Sequence, residues 1–365
     1  MGTFTSDQTV FTLSLMANLS SGVVGTVPVI EAALAADINT TLGSLATELG
    51  TWKVVWGPAV FEKPLSVRAD NAMYVAQDTS DSSRYVVAIA GTNPYSPFDW
   101  IVEDGLVNTQ VDWTFGPPAP GLSPKLATGT NTALGIVQTL TPGAGFPGAG
   151  TVLAAFLAGL PAGPLNITVA GHSLGGALSP VTALWLLQTQ SGWDPASRAT
   201  ISCLPSAGPT PGNQDFATLY DGSPLGAKTN RIHNSIDVVP HAWAADDLAE
   251  IPTLYEPQVP PGLLVRGAVA LASFFSRSGD YAQLIPGAPA LPGTVDPSQS
   301  TSTSEFTNFF NQLGYQHVDA YLTLLGIGQL SDLLADARAS AVTALPDVIK
   351  ALKTKITAQL FSLDL

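Results

Sequence analysis

Ser173 sits in "VAGHSLGGALS" (169–179), with Gly171 and Gly175 two residues to either side and Gly176 following. A serine hydroxyl is a weak nucleophile until a base takes its proton. The chemistry this frame suggests therefore needs a histidine, and a carboxylate to orient that histidine. Four histidines are present: His172, His233, His241 and His317. His172 adjoins Ser173 and would point away from it, which leaves a packing or turn-shaping role. The best carboxylate is Asp237, in "RIHNSIDVVPHAW" (231–243), where a strand-like run gives way to apolar residues and a proline. Asp246 and Asp247 are alternatives, in a stretch that reads as a solvated loop or helix start. With the order nucleophile, acid, base along the chain, His241 and His317 remain as candidates. His241 is four residues from Asp237, a spacing at which both side chains converge poorly on one serine. His317 opens an apolar helical run in "LGYQHVDAYLTLL" (313–325) after a long loop, and is the better placed.

Such a serine must stand between a strand and a helix. Composition alone does not establish that, since a chain with 34 glycines makes Gly-x-Ser-x-Gly readily. Here "NITVA" (166–170) precedes the frame as a short β-rich run, and "GGALSPVTALWLLQ" (175–188) follows with helical spacing. A strained strand-to-helix turn excludes large side chains at Gly171 and Gly175, and Gly176 lets the helix approach the sheet. The hydroxyl then lies at a helix N-terminus, where developing negative charge is favoured.

The remaining elements follow from periodicity. Residues 1–60 read as a helical N-terminal extension, with Ile30, Leu34, Ile38, Leu42 and Leu45 at helical spacing. "NAMYVAQ" (71–77) and "RYVVAIAG" (84–91) read as a hairpin across "DTSDSS". "TVLAAFLAGL" (151–160) reads as a helix, and "ATISCLP" (199–205) and "KTNRIHN" (228–234) as strands. This alternation predicts a single α/β domain over 1–365, with a mainly parallel central sheet covered by helices on both faces. Residues 242–312, rich in Pro, Ser, Ala and Gly, read as an insertion or cap-like loop region, with 286–305 exposed. Residues 329–365 read as C-terminal helices.

Hydrophobic residues make up 45% of the chain and charged residues 12%, which excludes disorder. A net charge of −14 repels phosphate backbones and argues against nucleic acid as a partner. Every apolar run is soon broken, so no transmembrane segment is expected. The one cysteine, Cys203, permits no internal disulfide, and no Cys/His cluster calls for a metal or cofactor. The N-terminus lacks a basic region and a small-residue cleavage site. A cytoplasmic location is expected on these residues, or secretion if a leader preceded them. The patterning specifies no oligomeric state.

Four stretches carry a family resemblance: "VVAIAGTNPYSPFDWIVEDGL" (86–106), "VAGHSLGGALS", "SAGPTPGNQDFATLYD" (206–221), and "NSIDVVPH" (234–241) with "YQHVDAY" (315–321). In this order they resemble the class 3 lipases, the family of filamentous-fungal triacylglycerol lipases within the α/β-hydrolase fold. The resemblance covers about residues 70–325. It implies Ser173 as nucleophile, Asp237 as acid and His317 as base, an oxyanion hole at Thr92 and Leu174, and no cofactor. It also implies a lid over about 93–111, where Phe98, Trp100 and Ile101 are the apolar candidates for substrate contact. The implied activity is hydrolysis of lipid or small esters such as acylglycerols, at a lipid–water interface. The same residues suit a phospholipase, a short-chain esterase, a polyester depolymerase, an acyltransferase or a peptidase. In a different class they suit a non-catalytic lipid-binding protein. Ala90 departs from the family, which often has arginine there, and the proline-rich stretch between Asp237 and His317 is long.

Overall fold

Apolar runs become strands that need cover on both faces. The computed structural model describes residues 2–63, 68–91, 107–117, 120–335, 350 and 353–354. Within it, β1 (Trp52–Phe61), β2 (Asn71–Asp78) and β3 (Arg84–Ala90) form an antiparallel meander. β4 (Gln110–Asp112) and β5 (Lys125–Ala127) make a separate hairpin. β6 (Leu165–His172) and β7 (Ala199–Ser206) extend the main sheet in parallel beside β3, giving the order β1-β2-β3-β6-β7. Within this five-stranded sheet every strand except β2 runs the same way.

Helices cover both faces. On one lie α1 (Ser6–Met16), α2 (Val27–Ser44) and the short α3 (Ala46–Leu49). On the other lie α4 (Thr128–Thr139), α5 (Leu153–Ala158), α6 (Leu174–Gln188), α7 (Gln190–Trp193) and α8 (Gln214–Asp221). β3 shows why both are needed: Val86, Ala88 and Ala90 enter the first core, and Tyr85, Val87 and Ile89 the second. Each fully buried Val or Ile contributes about 1.5–3 kcal/mol. α1 is itself core. A reciprocal cap between Thr5 and Gln8 starts it, Val10 through Met16 are buried, and the Tyr74 hydroxyl donates to the Leu13 carbonyl at 2.6 Å.

The sequence reading is corrected at several points. Residues 52–61 are strand β1, where 1–60 reads as helical. Its Gly57-Pro58 pair breaks the apparent run, yet an edge strand tolerates a proline. Residues 228–234 form no strand, only isolated bridges, to β7 at Thr229 and Ile232 and to Leu291 at Asn234. The region 242–312 is substantially helical: α9 (Ala245–Glu250), α10 (Leu263–Ser276) and α11 (Glu305–Gly314) lie in or overlap it. These helices build a third core with Trp243, Tyr255, Val265, Phe309 and Leu313. The many Ala, Gly and Pro residues hide the spacing of Val265, Ala268 and Ala272 that α10 buries. A π-helical turn (Tyr315–Asp319) and α12 (Ala320–Leu324) continue from α11. Gly328–Leu334 is 3₁₀ helix, and most of 336–365 lies outside the described residues. Among the described residues no helix is long and apolar enough to cross a membrane.

Candidate active site

Ser173 stands between the end of β6 and the start of α6, with φ 63° and ψ −126°. A side chain in this positive-φ region is strained, and such strain collects at functional turns. The glycines around it are steric necessities. A Cβ on Gly171 would lie 2.1 Å from the Gly175 carbonyl oxygen, and one on Gly175 would lie 2.1 Å from that of Ile89. On Gly176 it would lie 2.2 Å from the Ser206 carbonyl oxygen, so α6 presses directly onto the sheet.

The structure brings Ser173, His317 and Asp237 together. Ser173 Oγ is 2.8 Å from His317 Nε2, and His317 Nδ1 is 2.9 Å from Asp237 Oδ2 and 3.1 Å from Oδ1. The carboxylate makes Nδ1 the donor, which leaves Nε2 free to accept the serine proton. Ser173 is 2% exposed and the other two are fully buried. Asp237 also accepts from the Val239 N–H at 3.1 Å and from the Tyr321 hydroxyl at 2.9 Å. Burial first, then the Asp237 charge, push the Tyr321 hydroxyl well above the ordinary phenol range, so it remains a donor.

Tyr321 was not singled out from the sequence. Its signal is its place four residues after His317, one turn along the same helical face. Asn234 and Gln316 were also missed. Both are fully buried, and the Asn234 amide donates to Gln316 Oε1 at 2.8 Å. Gln316 Nε2 in turn donates to the Thr294 carbonyl at 2.7 Å, and Gln312 donates to the Asp296 carbonyl. These amides fix the helix that carries His317 against the segment that leads into Asp237, through Asn234, and against residues 294–296.

His172 does have the packing role expected of it. Its ring lies 4.9 Å from that of His317, 5.6 Å from Tyr321 and 5.9 Å from Phe11 on α1. Ser206 donates its hydroxyl to the Gly171 carbonyl at 3.0 Å, so His172 Nδ1 is the donor to Ser206 Oγ at 3.3 Å. Burial first, then the facing His317, hold His172 well below the ordinary imidazole range, so it is neutral. His241 does not reach Ser173. Its Nδ1 donates to the Asp237 carbonyl at 2.7 Å, and its Nε2 lies 3.6 Å from Glu250. Asp246 and Asp247 stand on α9, and Asp247 accepts from Gln283.

Leu174 heads α6, and its N–H has no backbone acceptor among the described residues. It is therefore available to a developing oxyanion. Thr92, Phe98, Trp100 and Ile101 lie outside the described residues, as does most of the expected lid. A mainly apolar cleft adjoins Leu174, with Val107, Ala133, Ile136, Ala177 and Trp243 in its lining. Among the described residues no group of three or more His, Cys, Asp or Glu side chains could hold a metal ion.

Residues 86–246 match the family model of class 3 lipases, a span that includes Ser173 and Asp237. Among solved structures, the crystal structure of M37 lipase is 32% identical, with a TM-score of 0.83. That alignment covers 94% of this chain and all of that one. The Rhizomucor miehei triacylglyceride lipase is 24% identical over 65% of this chain and 75% of its own, with a TM-score of 0.42. The lipase of Rhizopus microsporus var. chinensis is 20% identical over 67% and 72%, with a TM-score of 0.41. No curated protein sequence matches the chain.

Proposed function

This chain belongs to the class 3 lipase family, and from that premise we propose that it hydrolyses acylglycerols and related lipid esters through an acyl-enzyme on Ser173. One observation carries the reading: the continuous relay from Ser173 Oγ through both nitrogens of His317 to Asp237. Ser173 attacks the ester carbonyl carbon as its proton passes to His317 Nε2. The tetrahedral oxyanion accepts from the Leu174 N–H, and Thr92 is the second donor that the family resemblance implies. Losing one such donor typically costs about two to three orders of magnitude in rate. The intermediate collapses by breaking the bond to the alcohol oxygen, which takes the proton from Nε2. Water then gives a proton to Nε2 and attacks the acyl carbonyl, and Ser173 leaves with that proton restored.

Asp237 holds the imidazole in the required tautomer and stabilises its charged form in a site where little water weakens the attraction. The apolar part of the cleft beside Leu174, lined by Ala133, Ile136 and Ala177, takes the acyl chain. The family resemblance assigns Phe98, Trp100 and Ile101 to a lid, and a lid that opens at a lipid surface would expose apolar area there.

The test is hydrolysis of p-nitrophenyl esters from acetyl to palmitoyl, below and above their solubility, by wild type and Ser173→Ala. Long-chain turnover that rises at the interface and vanishes in the variant is expected. Short-chain preference without an interfacial gain would remove the lid and lipid claims. An active Ser173→Ala protein would remove the mechanism.

A further inference from the structure

Among mainly apolar and threonine side chains in the cleft beside Leu174, Lys63, Asp70 and Asn71 stand out. Asn71 is 5% exposed, and its side-chain Nδ2 finds no hydrogen-bond partner among the described residues. Buried amide donors are nearly always paired, so an unpaired one in a cleft wall marks where an acceptor from outside would fit. Beside it, Asp70 accepts from the Lys63 backbone N–H at 2.7 Å and lies 3.6 Å from Lys63 Nζ. The ammonium offsets the carboxylate, so the wall offers donors and an acceptor with no net charge to select an isolated ion.

Strand register relates this wall to Ser173. Ala72 pairs with Ala90, which brings Asn71 level with Gly91. Ile89 pairs with Gly171, which brings Gly91 level with Ser173. Asn71 and Ser173 thus stand at one level on the same rim of the sheet, two strand spacings apart across β3, or about 10 Å between Cα atoms. A glycerol unit spans such a gap once both side chains are counted, whereas a long acyl chain overshoots it.

We propose that Asn71, with Asp70 beside it, forms a subsite for a free hydroxyl of the leaving alcohol, so that polyol esters such as partial glycerides are preferred over esters of simple alcohols. The inference rests on the ester-hydrolase reading above. The hydroxyl oxygen accepts from Asn71 Nδ2 and the hydroxyl hydrogen goes to the Asp70 carboxylate. A methoxy group gives the carboxylate no donor, and a methyl ester carries no second oxygen to reach Asn71.

Monobutyrin and methyl butyrate, both fully dissolved, share an acyl group and differ in the alcohol, which carries two free hydroxyls in one and none in the other. The measurement is the ratio of their kcat/KM values in wild type, Asn71→Leu and Asn71→Ser. Both rates come from one sample, so any loss of folded protein cancels in the ratio. Wild type is expected to favour monobutyrin by about tenfold, the free-energy scale of one buried donor left unpaired. Asn71→Leu should bring the ratio near one, and Asn71→Ser, which keeps a donor, should restore part of it. A wild-type ratio near one, or a high ratio that survives in Asn71→Leu, would overturn the subsite and leave the hydrolase intact. Turnover of neither ester by wild type would overturn the hydrolase reading and the subsite with it.

Discussion

The two halves of the candidate site are built by opposite means. The nucleophile half is contiguous, from β6 through α6, and depends on atoms that are missing: three glycines let backbone lie against backbone. The acid–base half gathers Asn234, Asp237, Gln316, His317 and Tyr321 from segments about eighty residues apart. It depends on atoms that are present and paired. A site of the first kind fails when a group is added, and one of the second kind fails when a group is taken away. The steric half also leaves a sharper trace in sequence, because only one residue type meets its demand.

The largest effect that sharpens this contrast is expected from Gly175→Ala. Its new methyl would sit 2.1 Å from the Ile89 carbonyl oxygen, against β3 backbone rather than a side chain able to yield. We expect a loss of about 3 kcal/mol or more in urea unfolding. A fall in esterase activity of more than about a hundredfold should accompany it, since displacement of the nucleophile compounds the damage. Normal stability and activity in this variant would break the comparison.

Deletion should wound the other half more gently. Gln316→Leu removes the donor to Thr294 and the side-chain acceptor of Asn234. The expected cost is about 1–3 kcal/mol in urea unfolding, from buried groups left without partners. Tyr321→Phe removes one hydroxyl from Asp237 and from the Asn234 N–H that it accepts. It should keep its fold by circular dichroism and lose about tenfold in kcat/KM, as expected for a bond to a buried charge.

The smallest effect at neutral pH concerns His172, which bridges the halves. It is neutral in the fold, while an imidazole in the unfolded chain binds a proton below about pH 6.5. The unfolded state therefore holds more protons below that pH, and stability falls as pH falls. His233, pushed down to about 4 mainly by burial, acts in the same direction between about 6.5 and 4. His172→Gln should flatten the dependence of urea stability on pH between 6.5 and 5 by about one proton, near 1.4 kcal/mol per pH unit. An unchanged slope would mean that His172 is protonated inside the fold.

Much of the fold was legible because its rules are local. The β2–β3 hairpin, β6, α6 and β7 all follow from runs, spacing and turn residues in their own segments. Strand β1 escaped because Gly57 and Pro58 read as a break, and the edge position that permits them is a tertiary fact. The third core escaped for a related reason: α10 is spelled mostly in Ala, Val and Leu between proline-rich stretches, so its buried face is faint. Within the site, Ser173 was readable from its glycines, and His317 and Asp237 from chain order and resemblance. Tyr321, Asn234 and Gln316 were not, because an amide or phenol becomes functional only through a partner far away in sequence.

The most direct test is phosphonylation by a fluorophosphonate ester, followed by intact mass and peptide mapping, in wild type and His317→Ala. A single adduct on Ser173 is expected, forming at least about a thousandfold more slowly without His317. An adduct at another residue, or unchanged labelling of His317→Ala, would contradict a serine nucleophile activated through His317 and Asp237.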